Sequence, residues 1–231
     1  MPLESTARSP LVTQVIDQLR EQITQGEWPV GERIPPEPEL ATQLGVGRNT
    51  LREAVKALCH VGLLESRQGS GTYVVAASEL SSAVARRVSD ADFQDVLEVR
   101  RAFEIEAARL AARRRTPDDL EILDSALARR EEAWRSGNVD EFIETDSILH
   151  EAIVACAHNR ILAELYADFG AALRANVQHV VGEHLEPETH LDHAALVEAI
   201  RNGDEEAAAA EANAFLIEAA RQREHPHRQR R

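Results

Sequence analysis

The sequence predicts a mostly α chain in two parts: an N-terminal unit of three helices plus a β-hairpin, then a C-terminal all-α antiparallel helix bundle. Three observations predict it. Apolar residues recur at helical spacing over most of the chain. The one stretch with strand character, 63–75, is short and is split by the turn Gln68-Gly69-Ser70-Gly71. A polar, serine-containing stretch, 78–90, then separates this hairpin from an unbroken series of helical segments. The 231 residues are 43% hydrophobic yet only 4% aromatic, a balance that suits helical cores of Leu, Ile, Val and Ala.

In order along the chain, Val12, Ile16, Leu19 and Ile23 mark a first helix that stops near Gly26. Trp28 to Pro36, rich in Pro and Gly, reads as a loop. A short helix about Glu39 to Leu44 ends at Gly45, and another runs from Arg48 to His60 and closes at Gly62. Residues 8–77 thus form one expected domain, 78–90 a linker, 91–221 a second domain and 222–231 a disordered basic tail with Arg223, Arg228, Arg230 and Arg231. The second domain reads as six helices. Thr116-Pro117-Asp118-Asp119 offers an N-cap, a proline in the first turn and an acidic capping partner, and Gly137 with Asn138 and Glu141 repeats the stop-and-start signal. Pro187 and Asn202-Gly203-Asp204 mark later boundaries.

Composition narrows the function. No run of about 18 apolar residues suggests a membrane span, and the first 30 residues lack a secretory apolar core. Cys59 and Cys156 form no CxxC pair, so a reduced, cytoplasmic protein is expected. The net charge of −14 is uneven: residues 1–77 hold seven basic and nine acidic residues, leaving −12 to the rest. Contact with a polyanion is therefore expected only through the near-neutral N-terminal part.

On a helical wheel from Arg48, residues Asn49, Arg52 and Lys56 share one face, opposite the apolar stripe Leu51, Val55 and Leu58. Arginine can grip guanine or phosphate, asparagine can read adenine, and Thr50 can bond a phosphate. An amphipathic surface helix would look alike; the surrounding string distinguishes them. Gly31-Glu32-Arg33-Ile34-Pro35, Glu37-Pro38-Glu39-Leu40-Ala41, the run Leu44 to Ala54, Gly62-Leu63-Leu64 and the run Gln68 to Val74 closely resemble the GntR family DNA-binding domain. The resemblance implies a winged helix-turn-helix and a homodimer on a palindromic double-stranded operator. Arg48, Asn49, Thr50 and Arg52 would enter the major groove, with Gln68 and Gly69 at the minor groove. Pro38 departs from the pattern, which often has a basic residue there.

In the second domain, charged residues interrupt apolar stripes. Arg100 and Glu104 fall inside the arc of Leu97, Phe103, Ala107 and Ala111, as either a buried ion pair or a site for an anionic ligand. Asp146 and His150 lie at i, i+4 amid Phe142, Leu149 and Ile153, and His193 sits on a helix with Leu196, Val197 and Ile200. Such convergence on a helical core is a metal-site pattern, although each histidine alone is more often a hydrogen-bonded core residue. Val96 to Arg100 with Glu104, Asp146-x-x-x-His150 with Asn159, and His193 followed by Ala199-Ile200 resemble the FCD ligand-binding domain of the FadR subfamily, across residues 92–220. The resemblance implies a divalent ion (Zn²⁺, Ni²⁺ or Mn²⁺) at Asp146, His150 and His193 beneath a small organic-acid effector, with Arg100 as its counter-charge. Phe215 stands where a fourth ligand is expected, so the site is either a three-ligand metal centre or a metal-free pocket.

The expected function is that of a DNA-binding transcription regulator, a repressor, whose operator affinity responds to that effector. The alternative is a metal-dependent enzyme with an appended DNA-binding domain. Against it, no phosphate loop, catalytic triad order or paired acid/base motif occurs, and the spare histidines are His158, His179, His184 and His190. An architectural DNA protein fits poorly with a large acidic domain.

Overall fold

Helical periodicity in the first sixty residues becomes three helices in the computed structural model, which describes residues 10–88, 93–181, 184–185 and 190–224. Helix α1 (Pro10–Thr24) buries Val15, Leu19 and Ile23, spaced one turn apart, while Val12 and Ile16 flank that stripe half-buried. Helix α2 (Glu37–Leu44) tolerates Pro38 in its first turn, where no intrahelical N–H bond is lost. It ends at Gly45, whose φ of 65° lets the N–H groups of Gly45 and Val46 turn back to the carbonyls of Thr42 and Ala41. Helix α3 (Arg48–His60) follows at once and buries Leu51, Ala54, Val55 and Leu58 against α1 and α2.

Strands β1 (Leu64–Arg67) and β2 (Gly71–Val74) pair antiparallel, Leu64 opposite Val74 and Arg67 opposite Gly71. The stretch 31–34, read from the sequence as loop, adds to the free edge of β2. The Gly31 N–H donates to the Val74 carbonyl at 2.8 Å, the Ile34 N–H to Thr72 at 2.9 Å, and the Val74 N–H to Glu32 at 2.9 Å. The flanking prolines and glycine conceal this pairing in the sequence. Burial of Ile34 beside Leu64 and Val74 in one core explains it.

The chain divides into two units, 1–86 and 87–231. Within the polar connection 78–90 lies a further helix, α4 (Glu79–Val88). Its start is a reciprocal serine cap: Ser81 N–H donates to Ser78 Oγ at 2.8 Å and Ser78 N–H to Ser81 Oγ at 3.0 Å. Serines that suggest a loop are here a helix start.

The second unit consists, among the described residues, of α5 (Phe93–Arg114), α6 (Pro117–Ser136), α7 (Val139–Cys156), α8 (Arg160–Val181), α9 (Ala194–Asn202) and α10 (Glu205–Glu224). Thr116 and Asp119 form the expected capping box, Gly137 ends α6 at φ 75°, and Asn138 Oδ1 accepts from the Glu141 N–H at 3.2 Å. Two residues link α6 to α7, which pack on each other; α5 packs on α7, α8, α9 and α10. Ala108, Ala111 and Ala112 of α5 share a core with Ala208 and Ala212 of α10, and Leu123, Leu149, Ile153, Leu196 and Ile200 complete it. Small residues at that contact let the two helices approach closely. The tail expected to be disordered from 222 is helical to Glu224, continuing a run of good helix formers; 225–231 lie outside the described residues.

Leu149 is fully buried in that core. Leu149→Ala should therefore destabilise the protein by about 2–5 kcal/mol, read as a lower midpoint in urea unfolding followed by circular dichroism.

Candidate functional site

The first unit presents a polar surface built by α3 and the hairpin. Arg48 and Asn49 open α3 and are exposed, Thr50 is half-buried and Arg52 is exposed. Lys56 continues this face, while the opposite side of α3 is core. Gln68 and Gly69 occupy the exposed turn of the hairpin, where a φ of 75° at Gly69 suits glycine. The Arg67 guanidinium lies 4.3 Å over the Tyr73 ring, and Ser70 Oγ is 2.7 Å from the Tyr73 hydroxyl, so the turn is braced from below. Arg52 already has an anionic neighbour: its Nε is 3.5 Å from Glu37 Oε2 on α2.

In the second unit Asp146, His150 and His193 come together. One ligand atom from each lies within 4.8 Å of the other two. Asp146 and His150 share a face of α7, and all three are buried, His193 to 2% exposure. His193 is not on a helix, as the sequence suggested, but is the residue preceding α9. Phe215 of α10 offers no ligand; its ring stacks on the His193 imidazole at 4.2 Å and 11°.

Hydrogen bonds fix both imidazoles. His193 Nδ1 is 2.8 Å from the Leu191 carbonyl, which can only accept, so the ring carries its proton there. His150 Nδ1 is 3.2 Å from Glu104 Oε2. Glu104 is ionised: burial opposes its charge, but Arg100 and then His150 outweigh burial and bring its pKa down to about 2. The two rings face each other through their Nε2 atoms, 3.2 Å apart. Asp146 Oδ2 lies 3.8 Å from the His150 nitrogen.

Around these donors stands a ring of buried charge. Arg100 Nε bonds Glu104 Oε1 at 2.7 Å, and the Tyr166 hydroxyl donates to the same oxygen at 2.7 Å. Arg100 is therefore an ion-pair partner of Glu104, and it also lines a narrow cleft with Asp146, Ser147, His150, Tyr166 and Leu173. Arg130, 2% exposed, donates from Nε to Asp146 Oδ1 at 2.7 Å. Burial again opposes the charge on Asp146, yet His150 and Arg130 hold its carboxyl well below the ordinary range. His193 moves the other way: burial, then Arg130 and His150, push its pKa down to about 3 and keep the ring neutral. Sequence reading missed Arg130. The signal was present, since Leu123, Ala126, Arg130 and Ala133 form a buried stripe at helical spacing.

Comparison with known proteins gives this arrangement its context. Residues 11–74 match the model described as "Bacterial regulatory proteins, gntR family", and 95–218 match the FCD domain. The chain belongs to the GntR family. It is 31% identical over 204 residues to the galactonate operon transcriptional repressor of Escherichia coli, covering 84% of this chain and 88% of that protein. It is 34% identical over 149 residues to the HTH-type transcriptional regulator LutR of Bacillus subtilis, covering 62% and 66%. Among solved structures, a Streptococcus agalactiae GntR protein superposes with a TM-score of 0.56 at 27% identity, over 92% of this chain and 99% of that one. This GntR chain is a DNA-binding transcription regulator with an FCD domain, and nothing in its family favours the enzyme alternative. No helix among its described residues is long and apolar enough to cross a membrane.

The perturbed groups set a pH dependence. The unfolded chain takes up a proton at His193 below about 6.5, whereas the folded ring stays neutral to about 3; Glu104 likewise protonates near 4.5 unfolded and about 2 folded. In both cases the unfolded state binds more protons, so stability is full above about 6.5 and falls as pH drops. Thermal unfolding of the metal-free protein should show a Tm that declines from pH 7 to pH 4; a flat profile would contradict these environments.

Proposed function

We propose that this GntR regulator is a cytoplasmic repressor that binds a palindromic operator as a homodimer and answers to a small organic acid held in its helical domain. In this reading Arg48, Asn49, Thr50 and Arg52 enter the major groove, and Gln68 and Gly69 lie at the minor groove. The exposed polar face of α3 and the braced hairpin turn support it. The repressor assignment is supported by the relative named for the galactonate operon.

Effector control rests on one observation above all: two buried imidazoles turn their Nε2 atoms toward each other at 3.2 Å beside the ionised Asp146 carboxylate. Two nitrogens each about 2.0–2.1 Å from one Zn²⁺ at a tetrahedral angle would stand about 3.3 Å apart, so the spacing fits a shared ion. The rings are also oriented from behind by a carboxylate and a carbonyl, as metal-bound histidines usually are. We therefore assign Asp146, His150 and His193 as ligands of a divalent ion (Zn²⁺, Ni²⁺ or Mn²⁺). When bound, the ion supplies a positive centre with open positions for a carboxylate. The chain's part is to seat the acid: Arg100 gives one nitrogen to Glu104 and faces the cleft with donors to spare.

Two experiments test the two halves. Arg48→Ala and Arg52→Ala should each weaken operator binding by about 1–3 kcal/mol in fluorescence anisotropy, and folded variants that bind at wild-type affinity would remove α3 from the groove. Elemental analysis after incubation with Zn²⁺, Ni²⁺ or Mn²⁺ should find one ion per chain. His150→Ala should lose it, and Phe215→His should hold it more tightly. Absence of stoichiometric metal under all three conditions would leave a metal-free pocket.

A further inference from the structure

Two of the three donors ride on α7, which fixes their spacing. His193 has no such support, because it precedes α9 at the end of a short non-helical stretch. Its bond to Leu191 orients the ring but ties it only to its own segment. Besides the Phe215 ring of α10 stacked on His193, what ties the segment to the rest of the site is α6. His190 Nε2 lies 3.1 Å from Glu131 Oε2 and 3.3 Å from Oε1, and its ring packs on Trp134 at 4.7 Å between centroids. Glu131 in turn accepts from Arg130 Nη1 at 2.9 Å, and Arg130 holds Asp146 through Nε. Two consecutive residues of α6 thus grip both sides of the site: Arg130 holds the α7 ligand, and Glu131 holds the segment that carries His193.

Neither Glu131 nor His190 is among the converging donors, and both remain more than a quarter exposed. A part-exposed contact between an imidazole and a carboxylate is usually worth little. This one differs because its carboxylate is shared with a fully buried guanidinium and its imidazole is backed by an indole. We propose that Glu131 and His190 are positioning residues: they clasp residues 190–193 to α6 and so place His193 Nε2 opposite the donors of α7. The idea rests on the assignment of His193 as a metal ligand. Sequence spacing alone could not indicate it, since positions 131 and 190 lie far apart in the chain.

The test uses the full chain and Zn²⁺ alone as probe, with affinity from calorimetry and amide exchange of 190–197 followed in the metal-free protein. Glu131→Ala and His190→Leu should each weaken Zn²⁺ binding about 10–100-fold, the range for losing an outer partner of a ligand. The double variant should be no weaker than the worse single one, since both break one clasp. His190→Gln, which keeps an N–H donor, should recover most of the loss. Exchange over 190–197 should quicken in the two single variants while α6 and α7 stay protected. Equal Zn²⁺ affinity in wild type and both single variants overturns the clasp and leaves the metal site standing. If wild type takes no Zn²⁺, the metal assignment fails and exchange alone decides: unchanged protection in Glu131→Ala and His190→Leu overturns the clasp, and quickened exchange confined to the segment upholds it.

Discussion

Charge buried inside a helical core must be neutralised locally, and the second unit is organised around that requirement. Arg100, Glu104, Arg130, Asp146, His150 and His193 are all buried there. An unmatched ion at such depth costs several kcal/mol, so each has its counterpart within hydrogen-bonding range. The counterparts come from different helices: Glu104 of α5 meets Tyr166 of α8 and His150 of α7, and Asp146 of α7 meets Arg130 of α6. A slip of any of these helices by one turn, about 5.4 Å, would strand a charge. The network therefore specifies the register of four helices that apolar alanine and leucine contacts alone would specify less sharply. The same network turns the Nε2 atoms of His150 and His193 toward each other at 3.2 Å, so the feature that aligns the helices also brings the donors of the candidate site together.

Much of this was legible in the sequence. Capping signals at Thr116, Gly137 and Asn138 place helix ends because they act over three or four residues. Charged residues inside apolar stripes announced Arg100, Glu104, Asp146 and His150, since a helical wheel shows which face a residue occupies. Arg130 obeyed the same rule and needed only the same scrutiny. Less legible were features made by distant pairing. The edge pairing of 31–34 depends on β2 some forty residues later, and the helix at 79–88 hides behind serines that can cap as well as loop. The position of His193 outside its helix is a boundary effect, where helix assignments from pattern are weakest.

The two units share their charge unequally. The polar face of α3 belongs to a part of the chain near neutrality, while the helical unit carries nearly the whole negative charge. Non-specific attraction to a polyanion is therefore weak for the molecule as a whole. In the proposed reading, recognition would come from a few well-placed side chains of α3. Leu51, Ala54, Val55 and Leu58 pack that helix onto the core, and it is bounded by the left-handed turn at Gly45 before it and the positive φ of Gly62 after it.

The contact between Arg52 and Glu37 gives this surface an accounting of its own. A free arginine that meets a phosphate displaces a condensed cation from the duplex, and that release is what makes such binding fall with salt. Arg52 begins with its charge partly answered by a carboxylate from the neighbouring helix. In the proposed complex, an Arg52 that reaches a phosphate would exchange one partner for another and leave Glu37 to recruit a cation from solution. Part of the ion release would thereby be returned, making the ionic-strength dependence of that complex shallower than a count of its basic residues gives.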